Sequence, residues 1–285
     1  MLSALRRAAQ RVLDDRLSPE AQERIERLKA ALGPRGRDDF GFDPEQLRWI
    51  LPPAEFLYRQ WFRVETDGIE NLPEGPVLLV ANHSGQIPID AMMIGSALIL
   101  EAEPPRAVRS MIERFVPTLP FVGVFLTRMG QVLGTPENCR RLLAQGAPVL
   151  VFPEGVRGIN KTYDRAYQLQ EFGHGFMRLA LETNTPIVPV GVVGAEEQYP
   201  ALWNIKPLAK ATGLPAVPFG PTMLIPFLGA MPLPVKYRIY FGRPIQFTGD
   251  PNEDETEIGA KVRDVKDAIA SLLSRGLSER QGFFR

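Results

Sequence analysis

Reactive side chains in this sequence gather around His83. An apolar run of strand length, Val77-Leu78-Leu79-Val80-Ala81, stops at Asn82-His83, passes a turn containing Gly85 and Pro88, and reaches Asp90 at the head of a second apolar segment. In an α/β sheet, residues at the carboxyl ends of strands face the crevice where ligands bind. An imidazole placed there, with a carboxylate one short loop later, is a candidate general base with its orienting partner. The plain alternative is a strand-end imidazole satisfied by backbone hydrogen bonds. A second apolar run, Pro148-Val149-Leu150-Val151-Phe152, ends in Pro153-Glu154-Gly155-Val156-Arg157-Gly158. It brings a carboxylate and a planar guanidinium able to clamp a phosphate through paired bonds. The loop amides around Ser84 and Gly85 are candidate donors to a developing oxyanion.

Other chemistries have little to work with. The chain has 285 residues, one cysteine (Cys139) and two histidines, His83 and His174. A Cys/His zinc site is therefore not expected, and an internal disulfide framework is excluded, which fits a reducing compartment. Basic and acidic residues balance at 33 each, against a wholesale nucleic-acid binder. A serine hydrolase built on Ser84 lacks the Gly-x-Ser-x-Gly elbow, and a histidine immediately beside the serine is badly placed to be its base. His174, between Gly173 and Gly175, reads as a structural residue with no carboxylate paired to it. Glu196 and Glu197 read as a solvated or capping pair, and Lys161 and Arg165 as an extension of a basic patch for donor phosphates.

The positioning elements follow from periodicity and punctuation. Strand runs at 77–81, 148–152 and 186–193 alternate with helical patterns at 91–100, 136–146 and 172–182, which predicts a mainly parallel sheet covered on both faces. Ser18-Pro19-Glu20 marks a helix start, and Asp43-Pro44-Glu45 marks another, expected to be interrupted at Pro52-Pro53. Residues 251–285 hold Ile258, Val262, Val265, Ile269 and Leu272 at helical spacing, an amphipathic helix docked on the core. The organisation expected is a helical segment over 1–63, a core over 64–250 and the terminal helix over 251–285.

Two stretches suit lipid. Residues 2–17 put Leu2, Leu5, Val12 and Leu13 among Arg6, Arg7, Arg11 and Arg16, either a basic amphipathic segment on an anionic membrane or half of a packed helical hairpin. Residues 211–235 contain no charge and are broken by Pro215, Pro218, Pro221, Pro226, Pro232 and Pro234. That stretch is expected to line a lipid-accessible surface or an acyl-chain groove. No run resembles a spanning helix, so association is expected to be peripheral or monotopic, at the cytoplasmic face. Three strand ends carrying His83/Asp90, Glu154/Arg157 and Gly194-Glu196-Glu197 share one crevice in such a sheet. A base, an anion clamp and an apolar stretch together suggest transfer of a fatty acyl group to a hydroxyl.

These motifs resemble the phospholipid/glycerol acyltransferases that include the lysophosphatidate acyltransferases. The resemblance covers about residues 64–247 and rests on Asn82-His83…Asp90, on Phe152-Pro153-Glu154-Gly155-Val156-Arg157 and on Pro186-Ile187-Val188-Pro189-Val190. It implies a central, mostly parallel sheet wrapped by helices, catalytic His83 and Asp90, and substrate binding through Glu154, Gly155 and Arg157. It also implies an acyl-CoA or acyl carrier protein thioester as co-substrate, with no further cofactor, and a membrane lipid acceptor such as a glycerolipid or lysophospholipid. Two departures stand out. The family pattern usually has four residues between His and Asp, whereas six separate them here, Ser84 to Ile89. The Arg that ends the family's second motif has Gly134 and Thr135 in its place, with Arg128 as a rival that precedes the motif glycine, Gly130. Its loss leaves room for an uncharged alcohol as acceptor. A lipid hydrolase and a non-catalytic lipid-binding module are the other readings.

Overall fold

The computed structural model describes residues 17–32, 36–84, 88–112, 122–205, 218–220 and 231–285. The helices are α1 (Pro19–Ala31), α2 (Leu47–Phe56), α3 (Ile89–Leu100), α4 (Val122–Arg128), α5 (Pro136–Ala144), α6 (Val156–Ile159), α7 (Gly175–Thr183) and α8 (Glu255–Glu279). The strands are β1 (Glu65–Asp67), β2 (Val77–Ala81), β3 (Arg109–Ile112), β4 (Val132–Leu133), β5 (Pro148–Val151), β6 (Ile187–Val193), β7 (Trp203–Asn204), β8 (Pro218–Phe219) and β9 (Arg238–Phe241). Seven strands form one sheet in the order β1-β9-β6-β2-β5-β3-β4, and β7 pairs with β8 in a separate ribbon. Pairing is parallel except between β6 and β9. The expected α/β architecture, a mostly parallel sheet flanked by helices, is the one observed.

The apolar runs form the middle of the sheet because only there are both faces covered. Every residue of β2 and β6 is buried. One face packs Leu79, Ala81, Val188, Val190 and Val192 against α1, α2 and α3. The other packs Leu78, Val80 and Val149 against α5, α7 and α8. Pro189 is tolerated in a central strand for a positional reason. Its missing N–H falls on the β9 side, where that ladder is interrupted between Phe241 and Ile245 and only Gly242 N–H reaches the Pro189 carbonyl.

Local signals set the helix ends. Ser18 caps α1 by accepting from Ala21 N–H at 3.2 Å, and Asp43 accepts from Glu45 N–H at 3.1 Å. The expected interruption at Pro52-Pro53 does not occur: α2 runs through both prolines to Phe56 and continues as one wide turn over Leu57–Trp61. Both lie in the first two turns, and the hydrogen bonds they forgo are offset by packing of Leu47, Leu51 and Ala54 into the core. The segment at 2–17, read as either a membrane-surface helix or half of a packed hairpin, lies outside the described residues except Leu17, which is buried, and α1 behind it buries Ile25 and Leu28. Of the uncharged stretch 211–235, only 218–220 and 231–235 are described. Among the described residues no helix is long and apolar enough to cross a membrane.

Candidate functional site

β6, β2 and β5 lie side by side and run in the same direction, so the segments leaving their carboxyl ends meet. Asn82 is the first residue past β2. Its side chain extends the ladder, accepting from Val192 N–H at 2.8 Å and donating to the Val192 carbonyl at 3.1 Å. The next residue, His83, is thereby held to two strands. Its ring stacks on Phe152 from the end of β5, with centroids 4.1 Å apart and planes at 23°. Its own N–H donates to Glu154 Oε1 at 3.0 Å.

Asp90 sits on the first turn of α3, where the helix dipole favours negative charge. It is fully buried and ties its helix to the loop: Oδ1 accepts from Ala91 N–H at 2.8 Å, and Oδ2 accepts from Ser84 N–H at 3.0 Å. Oδ2 also lies 2.7 Å from His83 Nδ1. A carboxylate already accepting two N–H groups takes a third as acceptor, which assigns the ring proton to Nδ1 and leaves the Nε2 lone pair free. The six-residue separation therefore still closes the pair.

Glu154 is buried and holds two chain segments together, His83 through Oε1 and Gln170 N–H through Oε2 at 2.8 Å. Gly155 adopts a φ of +54°, in the left-handed region, and makes the turn that points Glu154 inward. Gly158 was not among the residues singled out from sequence, yet it touches the site most closely. A Cβ there would lie 2.9 Å from the His83 carbonyl oxygen and 3.1 Å from the His83 Cβ. The signal was present, since Glu-Gly-x-x-Gly after a buried strand points to a close backbone approach.

Several expected positions turn out otherwise. Ser84 is fully buried, its Oγ has no hydrogen-bond partner among the described residues, and its N–H donates to Asp90. Gly85 lies outside the described residues. Arg157 points outward and pairs with exposed Glu171 at 2.9 Å. Arg128 lies with Arg37, Asp43 and Thr127 around a different depression, whose lining among the described residues includes none of His83, Asp90 and Glu154. Thr135, at the place of the missing arginine, caps α5 by accepting from Asn138 N–H at 3.3 Å.

Four further side chains depart from their sequence reading. Lys161 is not part of an exposed basic patch; it is buried and bonds Glu196 at 2.7 Å. Glu196 and Glu197 are buried rather than solvated, and Glu197 pairs with Arg280 and the Tyr167 hydroxyl. Burial pushes the Glu196 carboxyl up, against the opposing pull of Lys161. His174 does have a carboxylate partner, Glu255 at the start of α8, whose acidity is strengthened by His174 and Arg178.

An apolar cavity begins beside this machinery, and its lining among the described residues comes from segments other than 211–235. It measures about 240 Å³ and runs along α3 from Pro88 and Ile89, past Met92 and Gly95, to Ile99, with Leu51 and Phe125 among the opposing walls. It starts one residue from Asp90.

A family model described as Acyltransferase matches residues 63–193. A Mycobacterium leprae protein without an assigned function is 40% identical over 256 residues, covering 87% of this chain and 69% of its own length. A Gallus gallus protein named DGAT1/2-independent enzyme synthesizing storage lipids is 30% identical over 219 residues, 76% of this chain, and the match spans 61% of that protein. In fold, the chain is similar to the crystal structure of the 1-acyl-sn-glycerophosphate (LPA) acyltransferase PlsC from Thermotoga maritima. The TM-score is 0.52 at 17% identity, covering 84% of this chain and 83% of that one. With its parallel sheet, the match over residues 63–193 and the 40% identity it shares with the Mycobacterium leprae protein, the chain belongs to the acyltransferase family.

Proposed function

We propose that this chain transfers a fatty acyl group from a thioester donor, acyl-CoA or acyl carrier protein, to the hydroxyl of an uncharged glycerolipid at a membrane surface. The observation that supports the chemistry is the Asp90–His83 pair with its free Nε2. In this reading Nε2 takes the proton of the acceptor hydroxyl as that oxygen attacks the thioester carbonyl carbon. The tetrahedral intermediate then collapses by breaking the C–S bond, and the departing thiolate recovers the proton from the imidazolium. Asp90 holds the tautomer and stabilises the transient positive ring. The chain supplies no covalent nucleophile, because the acceptor itself is the nucleophile.

Support for an uncharged acceptor is the placement of the cations. Thr135 stands where a phosphate-contacting arginine is expected, Arg157 is engaged at the surface by Glu171, and Arg128 lies with a separate group. The name of the Gallus gallus relative, which refers to storage lipids, agrees with this. A phosphate-bearing acceptor would call on Arg157, which Glu171 holds only at the surface. Incubation of labelled acyl-CoA with mono- and diacylglycerol, long-chain alcohols and lysophosphatidate separates these. Transfer to the uncharged alcohols, lost in His83→Ala and little changed in Arg157→Ala, supports the reading. Transfer confined to lysophosphatidate and lost in Arg157→Ala replaces the acceptor, and release of free fatty acid alone replaces the reaction.

The cavity along α3 is the place for the acyl chain in this proposal. A Cβ on Gly95 meets Val108 Cγ1 at 3.5 Å, an ordinary contact, so the backbone accepts a side chain that projects into the space. Gly95→Leu is expected to lower kcat/KM for a long-chain donor by about tenfold while sparing a short-chain donor, the scale of one or more excluded methylenes. Equal losses for both donors would remove the cavity from the proposal.

A further inference from the structure

Glu154 joins three segments through one buried carboxylate. Oε1 accepts from His83 N–H at 3.0 Å and Oε2 from Gln170 N–H at 2.8 Å. Both oxygens serve fully as acceptors only in the ionised form, because a protonated carboxyl turns one of them into an O–H donor. The cation beside it is Lys161. The Lys161 side chain is 2% exposed, and its ammonium stands 3.6 Å from Glu154 Oε2 and 2.7 Å from Glu196 Oε1. No substrate could reach so enclosed an ammonium without displacing this pair.

We propose that Lys161 is a positioning residue that keeps Glu154 ionised, and so keeps the main chain at His83 tied to the segment at Gln170. Charged groups of both signs surround Glu154. His83 with Asp90 approaches from the β2 and α3 side, and Lys161 and Glu196 from the other. Arg157 is turned away to Glu171. Behind Glu196 stand Tyr167, whose N–H donates to it at 3.4 Å, and Glu197, which is neutralised by Arg280. Lys161 is thus the cation that faces Glu154 from inside the protein. Its effect on turnover rests on the acyl-transfer reading, whereas its effect on Glu154 does not.

The two histidines make a direct test practical. Selective 15N-histidine labelling of the full chain gives two backbone amide signals, and His174→Gln assigns them. The His83 amide proton, bonded to a carboxylate, is expected far downfield, and it moves upfield when Glu154 takes up a proton. In Lys161→Met the midpoint of that movement is expected about one to three pH units above its position in the native chain, the scale of losing an opposite charge at this distance. Lys161→Arg, which keeps the charge, leaves the midpoint near the native one. The acid limb of the pH profile of kcat/KM rises with the amide midpoint in Lys161→Met, whereas a merely structural lysine lowers activity by one factor at every pH. An unmoved amide midpoint in a folded Lys161→Met overturns the proposal. If that variant does not fold, Glu196→Gln carries the test. Its midpoint should lie at or below the native one, because the ammonium then serves Glu154 alone, and a higher midpoint overturns the proposal. Absence of turnover in the native chain counts against acyl transfer, and the amide titration still decides the role of Lys161.

Discussion

Asp90→Asn is expected to lower kcat by about four orders of magnitude, the loss seen when the carboxylate behind a catalytic imidazole becomes an amide. The cause is the tautomer. Asp90 Oδ2 accepts from both Ser84 N–H and His83 Nδ1–H. With the amide oxygen kept on Ala91 N–H, the donor NH2 takes the place of Oδ2 and faces both the ring and Ser84 N–H. Nδ1 must then accept, the proton moves to Nε2, and the atom that should remove the proton from the acceptor already holds one. Folding should suffer far less. One buried N–H loses an acceptor, a cost of about 1–3 kcal/mol. Steady-state kinetics and thermal melting measured together separate the two effects. Retention of more than a tenth of native turnover would place the catalytic base elsewhere.

The second large effect concerns the fold. Gly191 lies in the middle of β6, where every other residue has a buried side chain. A Cβ built on it would sit 2.7 Å from Leu272 Cβ, on α8. The same helix offers Gly276, where a Cβ would come within 2.6 Å of the Tyr240 ring. The terminal helix thus rests on the sheet through two places without side chains. Gly191→Val is expected to destabilise the protein by about 3 kcal/mol, at the upper end of overpacking costs. That corresponds to a fall in Tm on the order of 5–10 °C for a chain of this size. Calorimetry checks it, and a change below about 1 kcal/mol would mean that α8 lifts away without resistance.

The sequence made the sheet legible because its strands are buried on both faces and so appear as unbroken apolar runs. The reactive loops were legible as the polar residues on which those runs end, and the caps at Ser18, Asp43 and Thr135 each follow from a side-chain oxygen set before a helix. Burial of charge was not legible. Lys161, Glu196 and Glu197 read like surface residues one at a time, and only the fold brings Lys161 to Glu196 and Arg280 to Glu197. Gly191 was an ordinary glycine in sequence, because the atoms that require it belong to a distant segment. The charge-free stretch at 211–235 lies mostly outside the described residues, and the cavity along α3 was not legible because the almost wholly apolar composition of that helix serves two purposes at once: core packing and a cavity wall.

The amide of Asn82 has a consequence for how such a site can change over time. His83 is anchored to β6 by that amide and to β5 by Glu154, while Asp90 is anchored by its own helix. Neither partner depends on the length of the loop between them for its place. Residues can therefore be inserted into or removed from that loop without parting the imidazole from its carboxylate. The interval between His and Asp is free to drift while the contact stays fixed, and the two additional residues of this chain are one such drift.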